Sequence, residues 1–125
     1  MKRIALASLV VAVVAAVAML TTAQAATPVL KGEVGPGFTI EVKKAGKKVK
    51  TLKAGKYKFV ISDKSSFHNY TIEREKPSKP HIEKHATSTS GTGMKTFTMT
   101  LKPGSWRAYC SVHEAQMHID FKVTR

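Results

Sequence analysis

Short runs of alternating apolar and polar residues, separated by turn-forming residues, make up most of this chain after its first 25 residues. In such a run every second side chain points to the same side, so a strand buries one face and exposes the other. The pattern predicts an all-β protein, a small antiparallel β-sandwich. The residues expected on the inward faces are Phe38, Ile40 and Val42; Tyr57, Phe59 and Ile61; Phe97, Met99 and Leu101; Trp106 and Ala108; and Ile119, Phe121 and Val123.

One segment interrupts this rhythm. Residues 73–93 are polar and contain two prolines and two glycines, so they predict a long surface loop or flap. The segment carries His81 and His85, which would form a metal-binding pair four residues apart if this piece were helical. The alternative is a solvated loop in which neither histidine binds a metal.

The N-terminus has the order of a secretory signal peptide. Lys2 and Arg3 precede an apolar run from Ile4 to Leu20, and Ala23-Gln24-Ala25 forms a small-residue cleavage site. We expect cleavage after Ala25, which leaves residues 26–125 as one domain in the periplasm or outside the cell. The alternative is an uncleaved membrane anchor, since the apolar run is close to spanning length.

The chain contains a single cysteine, Cys110, which cannot form a disulfide within the chain. The thiol therefore binds a metal, pairs with another molecule, or is buried and inert. Counting from Trp106 and Ala108, Cys110 falls on the inward face, and His68 shares an inward face with Tyr70 and Ile72 in the same way.

His113 and Met117 follow within seven residues of Cys110. Four potential ligands would thus converge at one end of the sandwich. Thiolate and thioether suit Cu(I), and imidazole also accepts Cu(II). Zinc is the main competitor, but a structural zinc site normally takes four Cys or His ligands. A buried cysteine and a core methionine are the simpler alternative.

These residues resemble the cupredoxins, the plastocyanin and azurin family of small copper proteins. The similarity covers about Val34 to Val123, and it rests on His68-Asn69 at the end of one strand and on Cys110-Ser-Val-His113-Glu-Ala-Gln-Met117 before the last strand. The stretch AGKYKFVISDKSSFHNYTI, in which Asp-Lys-Ser-Ser leads to the His-Asn pair, is also similar to bacterial members.

The resemblance implies a Greek-key sandwich that holds one copper ion in a type 1 site. It implies Cys110 as thiolate ligand, His68 and His113 as nitrogen ligands, and Met117 as weak axial ligand. Asn69 and Ser111 resemble the family pair that links the two ligand loops. His118 is a further candidate ligand, but at the head of the final strand it is expected to be partly exposed and not to bind.

Basic residues outnumber acidic ones, 21 to 8, and without Lys2 and Arg3 the net charge is +11. Eight lysines lie between Lys43 and Lys58 with only Tyr57 as an aromatic neighbour, which argues against nucleic-acid binding by base stacking. They form either a solvated face or a docking surface for an acidic redox partner protein or an anionic membrane surface. The lysines expected to contribute to such docking are Lys48, Lys50, Lys56 and Lys58.

Two functions remain for the sequence. The first is a mobile, monomeric one-electron carrier, which needs no catalytic acid, base or substrate cleft, and the chain has no evident nucleophile–base pair of an enzyme. The second is a copper storage, delivery or buffering protein, with the histidine-bearing flap as an accessory site.

Overall fold

A computed structural model describes residues 19–125, and over that range the chain forms ten strands and no helix. The strands are β1 (Val29–Val34), β2 (Ile40–Lys44), β3 (Lys47–Lys48), β4 (Thr51–Lys53), β5 (Gly55–Asp63), β6 (Thr71–Lys76), β7 (Glu83–His85), β8 (Gly93–Leu101), β9 (Gly104–Tyr109) and β10 (His118–Thr124).

The strands form two five-stranded sheets with the orders β3-β2-β1-β5-β8 and β4-β10-β9-β6-β7. One cluster of buried side chains joins the inner faces of both sheets. It includes Phe59 and Ile61 from the first sheet, and Trp106 and Phe121, whose rings stack 6.5 Å apart, from the second. The alternation read from the sequence therefore buries one face of each sheet, as the hydrophobic effect requires.

The predicted all-β sandwich is confirmed, although each sheet is mixed rather than purely antiparallel. Strand β1 runs parallel to β5, and β10 runs parallel to β4. Parallel neighbours are joined by crossovers between sheets, which the local turn signals do not reveal.

The predicted loop at residues 73–93 is only partly a loop. Residues 73–76 extend β6, and Glu83–His85 forms the edge strand β7, which pairs with Thr71–Glu73. An edge strand buries few side chains, so β7 can be entirely polar. A polar strand has no apolar alternation from which it could be predicted. Pro77 and Pro80 lie between the two strands, where no ladder N–H is needed.

The predicted signal peptide falls largely on residues 1–18, which lie outside the described residues. Across residues 19–125, no helix is long and apolar enough to cross a membrane.

Strand directions bring three loops to one end of the sandwich. Strands β1, β5 and β9 finish there, and β6 and β10 begin there, with Tyr109 paired to both Thr71 and His118. The loops are residues 35–39, 64–70 and 110–117. They carry the residues of the candidate site.

Candidate metal centre

Three side chains present metal-binding atoms to one another at this end of the sandwich. His68 Nδ1 lies 3.9 Å and His113 Nδ1 3.8 Å from Cys110 Sγ, and the two ring nitrogens are 3.1 Å apart. Cys110 is fully buried and His68 is 4% exposed, whereas His113 is half-buried. The period-two prediction that Cys110 and His68 point inward is therefore confirmed.

The two facing ring nitrogens of His68 and His113 are arranged to share one cation. A neutral imidazole carries one proton, so two Nδ1 atoms at 3.1 Å approach favourably only if one of them is protonated. A metal ion would replace that proton and use both lone pairs. The described geometry is thus a nitrogen–nitrogen–sulfur triangle suited to one cation.

Short polar side chains shape the loop that carries His68. Asp63 Oδ1 accepts the Ser65 N–H at 3.0 Å, and Ser65 Oγ accepts the Phe67 N–H at 3.1 Å. Such local bonds let Asp and Ser turn the backbone without a regular ladder. The chain consequently leaves β5 and returns with His68 facing the core.

Backbone bonds close the loop of residues 110–117, which we call the ligand loop. The Cys110 N–H donates to the Met117 carbonyl at 3.0 Å, and the N–H groups of His113 and Met117 donate to the carbonyls of Cys110 and His113 at 3.1 and 2.8 Å. Met117 is 1% exposed at the end of this loop. The pairing keeps the backbones of all three residues together.

Asn69 joins the two ligand-bearing loops. Its Nδ2 donates to Ser111 Oγ at 2.7 Å, its Oδ1 accepts the Ser111 N–H at 2.8 Å, and its own N–H points to Cys110 Sγ at 3.5 Å. The sulfur therefore has a backbone donor, and the link between Asn69 and Ser111 that the resemblance implied is present.

Two further residues act at the site that the sequence did not identify. Arg107 Nη1 donates to Glu114 Oε1 at 2.8 Å and so ties the ligand loop to β9. Phe38, predicted to point into the core, is 62% exposed and stands edge-on to the rings of His68 and His113, with centroids 5.1 and 5.0 Å away. The tripeptide Gly35-Pro36-Gly37 could have indicated that Phe38 lies in a loop, because glycine and proline end a strand.

The remaining histidines lie away from this cluster. His118 is exposed, with Nδ1 2.7 Å from the Glu114 carbonyl. His81 and His85 are also exposed, and the helical pairing considered for them is wrong because His85 belongs to strand β7. Both lie beside Glu83.

The lysines proposed for docking, Lys48, Lys50, Lys56 and Lys58, are all exposed. They lie toward the end of the sandwich opposite the ligand loop. From Lys56 to Asp63, β5 alone spans about 23 Å at the usual strand rise.

Comparison with known proteins yields no matching family model and no matching curated protein. Solved structures do match. A rusticyanin variant superposes with a TM-score of 0.59 at 18% identity, covering 82% of this chain and 80% of its own. Rusticyanin from Thiobacillus ferrooxidans superposes with a TM-score of 0.55 at 20% identity, covering 81% of this chain and 79% of its own. Auracyanin A, a blue copper protein from Chloroflexus aurantiacus, superposes with a TM-score of 0.57 at 15% identity, covering 79% of this chain and all of its own.

The chain shares the β-sandwich fold of these copper proteins. This agrees with the similarity read from residues 34–123. At identities of 15–20% the superposition establishes the architecture, and the chemistry of the site has to be argued from its own side chains.

Proposed function

We propose that this cupredoxin domain binds one copper ion through His68, Cys110 and His113, with Met117 as weak axial ligand, and carries single electrons between partners. The observation that carries the proposal is the triangle of a buried thiol and two imidazole nitrogens at separations of 3.1–3.9 Å.

The triangle fits the bond lengths of a three-coordinate centre. Metal–nitrogen and metal–sulfur bonds of about 2.0–2.3 Å arranged trigonally separate the ligand atoms by roughly 3.5–3.8 Å. The two nitrogen–sulfur separations are at or just above that range, and the nitrogen pair needs to open by a few tenths of an ångström. A His2Cys trigonal set with a weak thioether is the arrangement associated with copper electron transfer.

Met117 supports copper over zinc. Its side chain is 1% exposed, and its backbone is bonded to both Cys110 and His113. A thioether is a soft, weak donor, so it can serve as a distant axial ligand of copper and adds little for Zn²⁺.

Copper in this site would supply one-electron redox chemistry between Cu(I) and Cu(II). The protein's contribution is to hold its ligands nearly fixed in both states. Asn69 ties the two loops together, the Cys110–Met117 pair closes the ligand loop, and Arg107 attaches that loop to the sheet. Ligands held this way move little when the charge changes, which favours rapid electron exchange.

Burial argues for a carrier rather than an enzyme. A nucleophilic cysteine works from a partly exposed site, whereas Cys110 has no exposed surface. His113, in contrast, is half-buried; its ring stands edge-on to the exposed Phe38, and it follows the exposed Val112 in the chain. Electrons would therefore pass at the His113 edge.

We further propose that the chain is exported, as its N-terminus predicts, and that an acidic redox protein or an anionic membrane surface is its partner. The lysines lie far from the His113 edge, so they would act by long-range steering while the apolar edge makes the contact. Charged groups commonly set the encounter rate in this way.

Voltammetry of the copper-loaded protein, followed by dialysis against a Cu(I) chelator, tests the proposal. A carrier should give a reversible one-electron wave and keep its copper in both states. Reversible binding with ready loss of Cu(I) to the chelator would instead favour storage or delivery. A protein that binds Cu(II) but gives no reversible wave would contradict electron transfer.

A further inference from the structure

A second group of metal-binding side chains lies on the outer face of β6 and β7, away from the copper ligands. Glu73, His81 and Glu83 each offer one ligand atom, and these atoms lie within 4.8 Å of one another. His81 is exposed and the two glutamates are partly buried, so the group is open to solvent on one side.

The ring of His81 stands between the two carboxylates. Its Nε2 lies 2.8 Å from Glu83 Oε2, a hydrogen-bond distance, and its Nδ1 lies 3.5 Å from Glu73 Oε1. A neutral imidazole has one N–H, so donating to Glu83 leaves a lone pair on Nδ1 that faces a carboxylate oxygen. Two acceptor atoms in that position repel each other unless a second ring proton or a metal ion lies between them.

The longer separation matches one metal ion. Two bonds of about 2.1 Å at a tetrahedral angle place their ligand atoms about 3.4 Å apart. His81 Nδ1 and Glu73 Oε1 are already at that distance. The Glu83 carboxylate on the opposite ring nitrogen completes the carboxylate–histidine–metal arrangement that orients many metal-binding histidines.

Neighbouring groups hold both carboxylates in place. The Tyr109 hydroxyl donates to Glu73 Oε2 at 3.3 Å, which leaves Oε1 toward His81. The other oxygen of Glu83 lies against His85 Nε2, and the Nδ1 of His85 is 3.1 Å from the Thr71 hydroxyl.

The charge distribution gives an independent reason for a cation here. Five of the eight acidic residues lie on or beside this face, Glu73, Glu75, Glu83 and Asp120 on strands of the second sheet and Glu114 on the ligand loop, in a chain that carries 21 lysines and arginines. Arg107 pairs with three of them, Glu75, Glu114 and Asp120. Among the described residues, Glu73 and Glu83 have only histidine as an ion-pair partner within 4.0 Å.

We propose that this flap site binds a divalent transition-metal ion such as Zn²⁺ through His81 Nδ1 and the Glu73 carboxylate, with Glu83 holding the ring and water completing the coordination. Nitrogen and oxygen donors without thiolate make it chemically distinct from the copper centre. The proposal does not depend on copper binding at the Cys110 cluster.

Calorimetric titration of the full chain with Zn²⁺ tests the proposal, using the double variant Cys110→Ser with His113→Ala as the parent so that neither the buried thiol nor the facing histidine pair contributes. The parent should bind one equivalent of Zn²⁺. Adding His81→Ala or Glu73→Gln should weaken that binding by at least about tenfold, since even groups that only support a ligand have effects of this size. His118→Ala, an exposed histidine outside the site, should leave the affinity unchanged.

NMR of the histidine rings provides a second readout. Zinc should shift the His81 resonances and leave those of His118 in place. Zinc binding that survives both His81→Ala and Glu73→Gln would overturn the proposal, as would a folded parent that binds no zinc. Failure of copper to bind in the wild type would contradict the proposed function and leave this result unaffected.

Discussion

Met117, the proposed axial ligand, is the residue that would most sharply distinguish a copper site from a zinc site. It is 1% exposed at the end of the ligand loop. A thioether in the axial position would stabilise Cu(II) slightly more than an apolar side chain in the same place would. Met117→Leu should keep copper and colour but raise the reduction potential, as measured by voltammetry. Met94→Leu, at a position that is 66% exposed, is the matched control and should change nothing. A potential that responds to His118→Ala and not to Met117→Leu would mean that the axial ligand is wrong.

Asn69 is expected to stabilise the copper-free protein by joining two loops. Asn69→Ala removes both bonds to Ser111, while Ser111→Ala removes only the one to its hydroxyl. At about 0.5–1.5 kcal/mol for each bond, Asn69→Ala should lower the free energy of unfolding more than Ser111→Ala does. Urea denaturation of both variants measures the difference. Equal losses would show that the backbone half of the link contributes nothing.

The sequence predicted which strand residues point inward, but it did not predict where the loop residues lie. His68 and Cys110 point inward because each continues the two-residue period of a buried run. Phe38 fits the same two-residue period in the sequence, but it lies in the loop between β1 and β2 and packs against the histidine rings instead. Gly35 has a φ of +73°, and a Cβ there would meet the Ser65 side chain at 2.6 Å, so this loop path depends on tertiary contact.

Arg107 links the elements around the ligand loop. Its guanidinium binds both oxygens of Asp120 on β10, at 2.7 and 3.1 Å, and also reaches Glu114. The hydrogen bond from Arg107 holds the pKa of Asp120 below its ordinary value of 3.8. A carboxyl with a lowered pKa stabilises the folded state above its ordinary pKa, and this contribution is lost as the pH falls through the folded-state value.

Asp120→Asn should therefore unfold more easily than the wild type at neutral pH, by at most about 1 kcal/mol because the pair is partly exposed. The difference should shrink as the pH falls below about 3.8, the ordinary value for an aspartate. Thermal unfolding of both proteins at several pH values measures it. A difference that is constant with pH would contradict the assigned ion pair.

At the level of strands, the buried ones were predictable and the polar edge strand was not. Strands β5 and β9 each have an apolar face that is buried in the core, so the alternation in the sequence predicted them. Strand β7 consists of Glu83, Lys84 and His85, and it forms because its backbone pairs with β6. That pairing places His81 and Glu83 beside Glu73, which no sequence pattern indicated.

Charge is unevenly distributed over the molecule, with eight lysines between Lys43 and Lys58 and four carboxylates on the strands of the second sheet. If the lysines steer the chain to an acidic electron-transfer protein, the association rate should fall with salt, because the Debye length shrinks to about 8 Å at physiological ionic strength. Changing Lys48, Lys50, Lys56 and Lys58 to Glu should slow that rate and flatten its salt dependence, with spectrum and potential nearly constant.

Stopped-flow mixing with such a protein at several salt concentrations measures the rate. The matched control reverses four exposed lysines outside the end of the sandwich opposite the ligand loop, Lys31, Lys64, Lys84 and Lys95, and changes the net charge equally. If both quadruple variants slow association to the same extent, net charge alone is responsible. A rate insensitive to salt and to both sets would mean that the lysines only keep the protein soluble.

The proposed copper centre is tested most directly by visible absorption during titration of the wild type with Cu(II). A thiolate bound with two imidazoles should give an intense charge-transfer band that saturates at one equivalent of copper. The band should disappear in Cys110→Ser and remain unchanged in His81→Ala and His85→Ala. A colourless, tightly bound Cu(II) complex, or a band that persists without the Cys110 thiol, would contradict the assignment.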